Sequence, residues 1–314
     1  MGNYTNLSSD EVKEILSDYS LGKFLDLTPL SLGISNSNFK LTVTKNNIRN
    51  DYLLKISNDK NHEELIGEQK ILEYLNQENF SLSLCPLPNN KGKKVFFYKD
   101  HFGVMFPFIN GHPPEPGPST CQEIGKALAL LHKTKTPKDR QLREHKQIGY
   151  EASYIANFQA DKKCPQEYKD YYKKIFPNSL EAFISNSFQE GIIHGDLYYD
   201  NTLFKNDKLV ALLDFEQSGI GPLILDIGIS ISGSCLKKGQ IDYSLVESYV
   251  KGYETVRALP ENEKKHLNNS ILLGLFSISL WRIFRFKYGA LDPAKKNSYI
   301  ELLEKANQFY KLIS

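Results

Sequence analysis

Gly191-Ile-Ile-His-Gly-Asp-Leu-Tyr-Tyr-Asp-Asn-Thr-Leu-Phe204 holds His194-Gly195-Asp196, and four residues separate Asp196 from Asn201. The run Lys208-Leu-Val-Ala-Leu-Leu-Asp-Phe215 then brings a second acid, Asp214, near its end. Acid, amide and acid thus fall beside short, β-rich apolar segments bounded by polar turns, as loop tips on a strand scaffold do. Phosphoryl transfer needs such a set: one carboxylate orients the attacking hydroxyl, while an amide and another carboxylate hold magnesium on the nucleotide phosphates. A hairpin whose polar residues cap turns is the competing interpretation, and each residue alone fits it. The three together, in this order, favour phosphoryl transfer.

The stretch resembles the catalytic and metal loops of the aminoglycoside phosphotransferase and choline kinase superfamily, which has a protein-kinase-like fold. Protein kinases read H-R-D here and D-F-G later, where this chain has Gly195 and Glu216. Eleven residues separate Asp214 from Asp226, too few for an activation loop and a peptide-docking platform. The resemblance therefore implies a small-molecule kinase: an α+β, bilobal, protein-kinase-like fold with a small antiparallel-sheet N-lobe and a larger, mainly helical C-lobe. It implies ATP and Mg2+ as cofactors, Asp196 as the catalytic residue, and Asn201 and Asp214 as metal ligands. Asp226 matches the acid that supports the catalytic loop through backbone hydrogen bonds.

The length of 314 residues suits two lobes, and 40% hydrophobic residues suffice for a core. A net charge of +2 gives no reason to invoke nucleic acid. No apolar run reaches the ~18–20 residues of a spanning helix; the longest, Ile271 to Trp281, reads as a buried helix. The polar, acidic start is unlike a secretory signal. A cytoplasmic protein, without membrane or nucleic-acid partners and either monomeric or homodimeric, is expected. The cysteines at 85, 121, 164 and 235 form no C-x-x-C and are expected to be reduced, mostly structural thiols.

Residues 1–110 are expected to form the nucleotide-binding lobe and 111–314 the catalytic and substrate lobe, with the Pro/Gly tract His112 to Pro118 at the boundary. In the first lobe, Ser8-Ser9-Asp10-Glu11 is a helix start. Leu25, Leu27, Leu30 and Leu32 suggest a strand, and Phe39 to Thr44 its hairpin partner. Gly33-Ile-Ser-Asn-Ser-Asn38 lies between them, and its small residues, Ser35 and Asn36 among them, could present backbone N–H groups to phosphates. A plain hairpin loop would look the same. Lys55 interrupts the apolar strand Asp51 to Ile56. By alternation it would face solvent; as the third-strand lysine on the α- and β-phosphates it would need a carboxylate on the next helix. Glu68 lies on the apolar face of that helix, at about residues 61–76, where a lone acid is costly unless paired. Lys55–Glu68 is the expected pair, with Glu64 second. Strands Lys94 to Tyr98 and Gly103 to Ile109 follow. Met105 to Gly111, with Phe106 and Phe108, would be the hinge that meets adenine.

In the second lobe, Ser119 to His132 has a helical apolar period, and Gly125 and Ala129 allow close packing. His132 by default caps the helix or lies on the surface. Tyr171, Tyr172 and Phe176 are candidates for core or groove. Lys133 to Lys146 reads as a solvated loop. Helices are expected over residues 227–236, 242–257, 261–286 and 298–313, with Arg282 and Arg285 on the third as possible cations for an anionic substrate.

Within the superfamily the chain is most similar to the second type of bacterial homoserine kinase. The similarity lies at Tyr4-Thr5, Gly33 through Asn36-Ser37-Asn38-Phe39, Cys85-Pro-Leu-Pro88, Gly252-Tyr253 and Val256-Arg257. Two positions depart from that group: Gly195, where it usually reads H-A-D, and Glu216, where an aromatic is common. Both look more like the antibiotic and choline kinases. The expectation is an ATP- and Mg2+-dependent kinase of a small-molecule hydroxyl, homoserine first. A choline/ethanolamine or aminoglycoside kinase is the alternative, and a nucleotide-binding pseudokinase the non-enzyme one.

Overall fold

The computed structural model describes residues 5–30, 36–58, 60–138, 142, 151–177, 180–289 and 292–314. Ser35, most of the 31–38 loop and much of Lys133 to Lys146 lie outside them. The chain divides into two compact units, Met1–Asn110 and Gly111–Ser314.

The first unit is a five-stranded antiparallel sheet. Its strands are β1 (Lys23–Pro29), β2 (Asn36–Lys45), β3 (Ile48–Ser57), β4 (Val95–Tyr98) and β5 (His101–Pro107), in the order β1-β2-β3-β5-β4. Asn46 and Asn47, both at positive φ, close the β2–β3 hairpin, the conformation a two-residue turn needs to match strand twist. Helix α1 (Ser9–Ser17) begins with a capping box between Ser8 and Glu11. It lays Val12, Ile15 and Leu16 against Phe39, Leu41, Val43, Leu54, Ile56 and Met105. Leu25 is skipped in the β1–β2 pairing and is exposed, so β1 is a bulged edge strand, shorter than its leucines suggested. Helix α2 runs His62–Gln77.

The second unit is mainly helical. Helices α3 (Pro118–His132), α4 (Ala152–Phe158), α5 (Gln166–Ile175) and α6 (Glu181–Ile184) precede a set of short ribbons. Strand β6 (Glu190–Ile193) pairs with β9 (Gly219–Pro222), and β7 (Thr202–Lys205) with β8 (Lys208–Leu212). The turn of the second ribbon is Asn206-Asp207, again both at positive φ. Helix α7 (Leu223–Ser234), the ribbon β10 (Leu236–Lys237) and β11 (Gln240–Ile241), and helices α8 (Tyr243–Glu254), α9 (Glu261–Arg282) and α10 (Tyr299–Ile313) complete it.

Two backbone-to-backbone contacts set the helix layout. A Cβ on Gly125 of α3 would lie 2.1 Å from the Tyr249 carbonyl of α8, and one on Gly252 would lie 1.9 Å from the Gln122 carbonyl. A Cβ on Gly228 of α7 would come equally close, 2.1 Å, to the Ser270 carbonyl of α9. Tyr172 and Phe176 pack on Phe276 and are core, whereas Tyr171 is only half-buried.

Two expectations need correction. Helix α7 begins at Leu223, not 227, because Pro222 takes the N-cap after β9 has paired with β6. Asp226 therefore sits in a first helical turn. Helix α9, with its π-helical continuation, forms a run from Glu261 to Lys287 that is long and apolar enough to cross a membrane by length and composition, which the sequence was not expected to contain. Of its apolar window 61% is buried inside the protein, as in a core helix. All four cysteines are free thiols, and three are buried.

Candidate active site

Strand β6 ends at Ile193 and delivers His194-Gly195-Asp196 into a tight turn. Gly195 has φ +77°, and a Cβ there would sit 2.4 Å from the Gln217 carbonyl. An L side chain is strained in that conformation and would also strike backbone. The glycine is thus a demand of the local backbone. The turn is held from below by Asp226: His194 N–H donates to Oδ2 and Gly195 N–H to Oδ1, each at 2.8 Å. Burial would raise the Asp226 carboxyl, but the His132 hydrogen bond and the His194 amide outweigh it and hold the group below the usual range.

The His194 ring ties the turn to the next segment. Its Nε2 donates to the Leu213 carbonyl at 2.8 Å, and its Nδ1 accepts the Asp196 N–H at 3.3 Å. Burial pushes the imidazole below its ordinary value, and an Nδ1 that accepts a backbone N–H carries no proton of its own. Asn201 donates its side-chain N–H to the Asp196 carbonyl at 2.7 Å and to Asp196 Oδ2 at 3.2 Å. The Leu213 N–H in turn donates to the Asn201 carbonyl at 2.8 Å. Asp196, Asn201 and Asp214 are therefore brought together by short bonds within this unit.

Asp214 is in the left-handed region, at φ 60° and ψ 61°. A non-glycine residue there costs of order 1–3 kcal/mol unless its surroundings impose it, and such residues cluster at functional sites. Asp196 keeps part of its surface open. Its carboxyl is pushed well above the usual range by burial, then by Asp214, Glu216 and Asp200, with the Asn201 bond opposing.

These residues suit a divalent cation. The Asn201 amide nitrogen is committed to Asp196, which leaves its oxygen, with the Asp214 carboxylate, as hard donors. Magnesium takes one or two carboxylates and completes its shell with phosphate and water. No group of three or more His, Cys, Asp or Glu that could hold a metal ion lies among the described residues.

In the first unit Lys55 lies between Leu54 and Ile56 on β3, yet on the opposite face, and it is buried at 8% exposure. Its Nζ is 3.5 Å from Oε1 of Glu68, which is 2% exposed. Lys60 Nζ is nearer, 3.1 Å from Oε2 of the same carboxylate. Glu64 is occupied elsewhere: it closes the capping box of α2, accepting the Asn61 N–H at 2.8 Å. Asn36 is buried at the start of β2. Phe106 is buried on β5, and Phe108, just beyond it, carries the Lys40 ammonium 4.8 Å from its ring centre.

The largest departure from expectation is His132. It neither caps α3 at the surface nor faces solvent. It is buried, with Nε2 3.0 Å from Asp226 Oδ2 and Nδ1 2.7 Å from the Tyr253 hydroxyl. The signal was present: steps of four from Ile124 through Leu128 reach His132, so it lies on the apolar stripe, and a polar group there must find a partner. Arg282 donates to the Ser298 carbonyl at 2.8 Å and reaches Glu301 at 3.4 Å. Its charge also acts on the Tyr198 hydroxyl, which burial and Asp196 push well up. Arg285 lies over the Trp281 ring at 5.6 Å.

A turn of this build, in an antiparallel-sheet and helical protein of kinase type, suits a phosphotransferase with a hydroxyl acceptor. Residues 26–260 match the APH family, described as the phosphotransferase enzyme family, and the chain belongs to it. A homoserine kinase of Agrobacterium fabrum is 26% identical over 273 residues, covering 85% of this chain and 82% of that protein. Among solved structures, the amicoumacin kinase hAmiN, in complex with AMP-PNP, Ca2+ and Ami, superposes with a TM-score of 0.70 at 14% identity over 98% of this chain and 97% of that one. A microcompartment-associated aminopropanol kinase gives 0.70 at 17% identity over 95% of each chain. These structures share the fold.

Proposed function

We propose that the chain is an ATP- and Mg2+-dependent homoserine kinase. Asp196 would accept the proton of the substrate's primary hydroxyl and orient its oxygen for in-line attack on the γ-phosphate. Lys55, held by Glu68, would meet the α- and β-phosphates. Backbone N–H groups about Ser35 and Asn36 would add to phosphate binding, and Phe106 and Phe108 would flank the adenine. Asn201 and Asp214 would hold a magnesium ion, whose positive charge would offset the phosphates and the repulsion among the acids around Asp196.

The single observation that carries the substrate assignment is the similarity to the Agrobacterium homoserine kinase along most of both chains. Arg282 adds a chemical reason. Its charge reaches Tyr198, two residues past Asp196, and its Nη1 donates to Ser298 and Glu301. The other arm of its fork would take an amino-acid carboxylate. A second interpretation, an amino-alcohol kinase, draws on the acids that raise Asp196, namely Asp214, Glu216 and Asp200, which would suit a cationic acceptor.

One assay separates them: ATP consumption against homoserine, choline, ethanolamine and aminoglycosides, with the product weighed by mass spectrometry. Homoserine is expected to give the highest kcat/KM, and amino alcohols to be turned over less well, since they lack the carboxylate that Arg282 would hold. Higher kcat/KM with choline or an aminoglycoside would overturn the substrate and leave the kinase. Chelation of divalent metal, or Asp214→Ala, should abolish turnover in every case.

A further inference from the structure

Behind Asp226 a line of buried polar groups continues through α3 and α8 to the start of α9. Arg257 bonds Glu263 through both ends of its fork, Nη1 to Oε2 at 2.7 Å and Nη2 to Oε1 at 2.8 Å. The same guanidinium donates to Gln189 Oε1 at 2.9 Å and to the Tyr253 hydroxyl at 3.0 Å. The Tyr253 hydroxyl meets His132 Nδ1 at 2.7 Å, and His132 Nε2 meets Asp226 Oδ2 at 3.0 Å. Every member is at most 9% exposed, Gln189 aside.

The order of donors along this line is fixed by its ends. Arginine has donors only, so the Tyr253 oxygen accepts from Arg257. With one proton on the His132 ring, the tyrosine's own proton goes to Nδ1, which accepts. At the other end the Asp226 carboxylate only accepts, so Nε2 carries the ring proton and donates. The result is one unbroken sequence of donors, from the Arg257 cation to the Asp226 anion, which also accepts the His194 and Gly195 amides.

We propose that Tyr253 and Arg257 are positioning residues for phosphoryl transfer. They clamp the His132 ring at Nδ1, so that its Nε2–H stays on Asp226 and Asp226 stays beneath the His194-Gly195-Asp196 turn. The effect on turnover rests on Asp196 being the base; the effect on the ring and the turn does not. Without the tyrosine hydroxyl the ring is held at one end only and is free to turn about that bond. Asp226 then shares its oxygens less evenly between ring and turn. A polar line in which every member is matched confers rigidity that a partly matched one lacks.

The test uses the full chain with Tyr253→Phe, which removes one oxygen and keeps the buried ring. Arg257→Lys is the second variant: it keeps a cation for Glu263 but loses the fork, and it guards against a folding failure of the first. Three quantities are read: the His132 ring-nitrogen shifts by NMR, amide exchange at His194 and Gly195, and steady-state kinetics with ATP and L-homoserine. In the wild type, His132 should show a proton on Nε2 and a bare, hydrogen-bonded Nδ1. Tyr253→Phe should shift the Nδ1 signal and speed exchange at both amides. It should lower kcat about ten-fold with KM for ATP within two-fold, the scale of supporting-partner losses at other sites. Arg257→Lys should give the same pattern, more weakly. A proton on Nδ1 in the wild type, or unchanged exchange at His194 and Gly195 in folded Tyr253→Phe, would overturn the proposal. If homoserine is not turned over at all, the substrate assignment falls, while the NMR and exchange arms still decide this one.

Discussion

The His194-Gly195-Asp196 turn of the second unit and the Lys55–Glu68–Lys60 cluster of the first are both largely buried and charged, but they are held in opposite ways. Around Asp196 the partners are backbone amides and carbonyls or short, planar side chains. Each hydrogen bond has one geometry, and Gly195 leaves no room for a side chain. Around Glu68 two long, rotatable lysines share one carboxylate, at 3.5 and 3.1 Å. A preorganised site pays its ordering cost on folding, so little reorganisation remains at the moment of reaction. Two long lysine side chains have more rotatable bonds with which they would follow phosphates, if these bind there as proposed. Under the proposed function, rigidity would sit where a proton is taken at one atom, and adjustability where a polyanion enters and departs.

The contrast can be broken most sharply at Asp196. Asp196→Asn is expected to lower kcat by about 10²–10⁴, the usual weight of a general base, with ATP affinity nearly unchanged in calorimetry. A kcat within a few-fold of wild type would remove Asp196 from the chemistry and the contrast with it. Gly195→Ala comes next. With the Gln217 carbonyl 2.4 Å from the new carbon and φ at +77°, the backbone must move. A stability loss of about 1–3 kcal/mol is expected in urea unfolding, as for a side chain forced into a strained site. An alanine variant as stable and active as wild type would show that the turn is less rigid than its contacts imply. The smallest effects should come from the flexible cluster. In cycles pairing Lys55→Met or Lys60→Met with Glu68→Gln, couplings of about 0.5–3 kcal/mol in ATP binding or stability are expected. Full additivity for Lys55 would mean that Glu68 does not hold it.

The same contrast explains what could be read from the chain. The catalytic turn was legible because its residues are close in sequence: 194 to 201 on one strand end and 3-10 turn, 214 one hairpin later. Lys55 and Glu68 were legible because each breaks an apolar pattern, and a buried charge demands a partner. Lys60 was not, since it follows β3 in an irregular stretch with no period to violate. The line from Glu263 to Asp226 was not legible as a whole, because its bonds join residues 94 and 121 positions apart. Only His132, on an apolar stripe, gave a local sign. The start of α7 was missed for a different reason. Gly219-Ile-Gly-Pro has loop composition, and only its pairing with β6 makes it a strand that ends at the helix cap.

The contact between α7 and α9 has a practical side. Where Gly228 meets the Ser270 carbonyl there is no side chain to repack, so the joint behaves as a keyed hinge pin with no play. Asp226 is mounted on one helix and Arg282 on the other, at its far end. If the acceptor meets Arg282 as proposed, a protein engineer can treat that partly exposed position as an interchangeable tool head while the buried Ser279, Leu280, Ile283 and Phe286 stay fixed. The mount that carries the His194-Gly195-Asp196 turn stays indexed at the glycine, and a library confined to position 282 should retain its folded fraction while acceptor choice drifts.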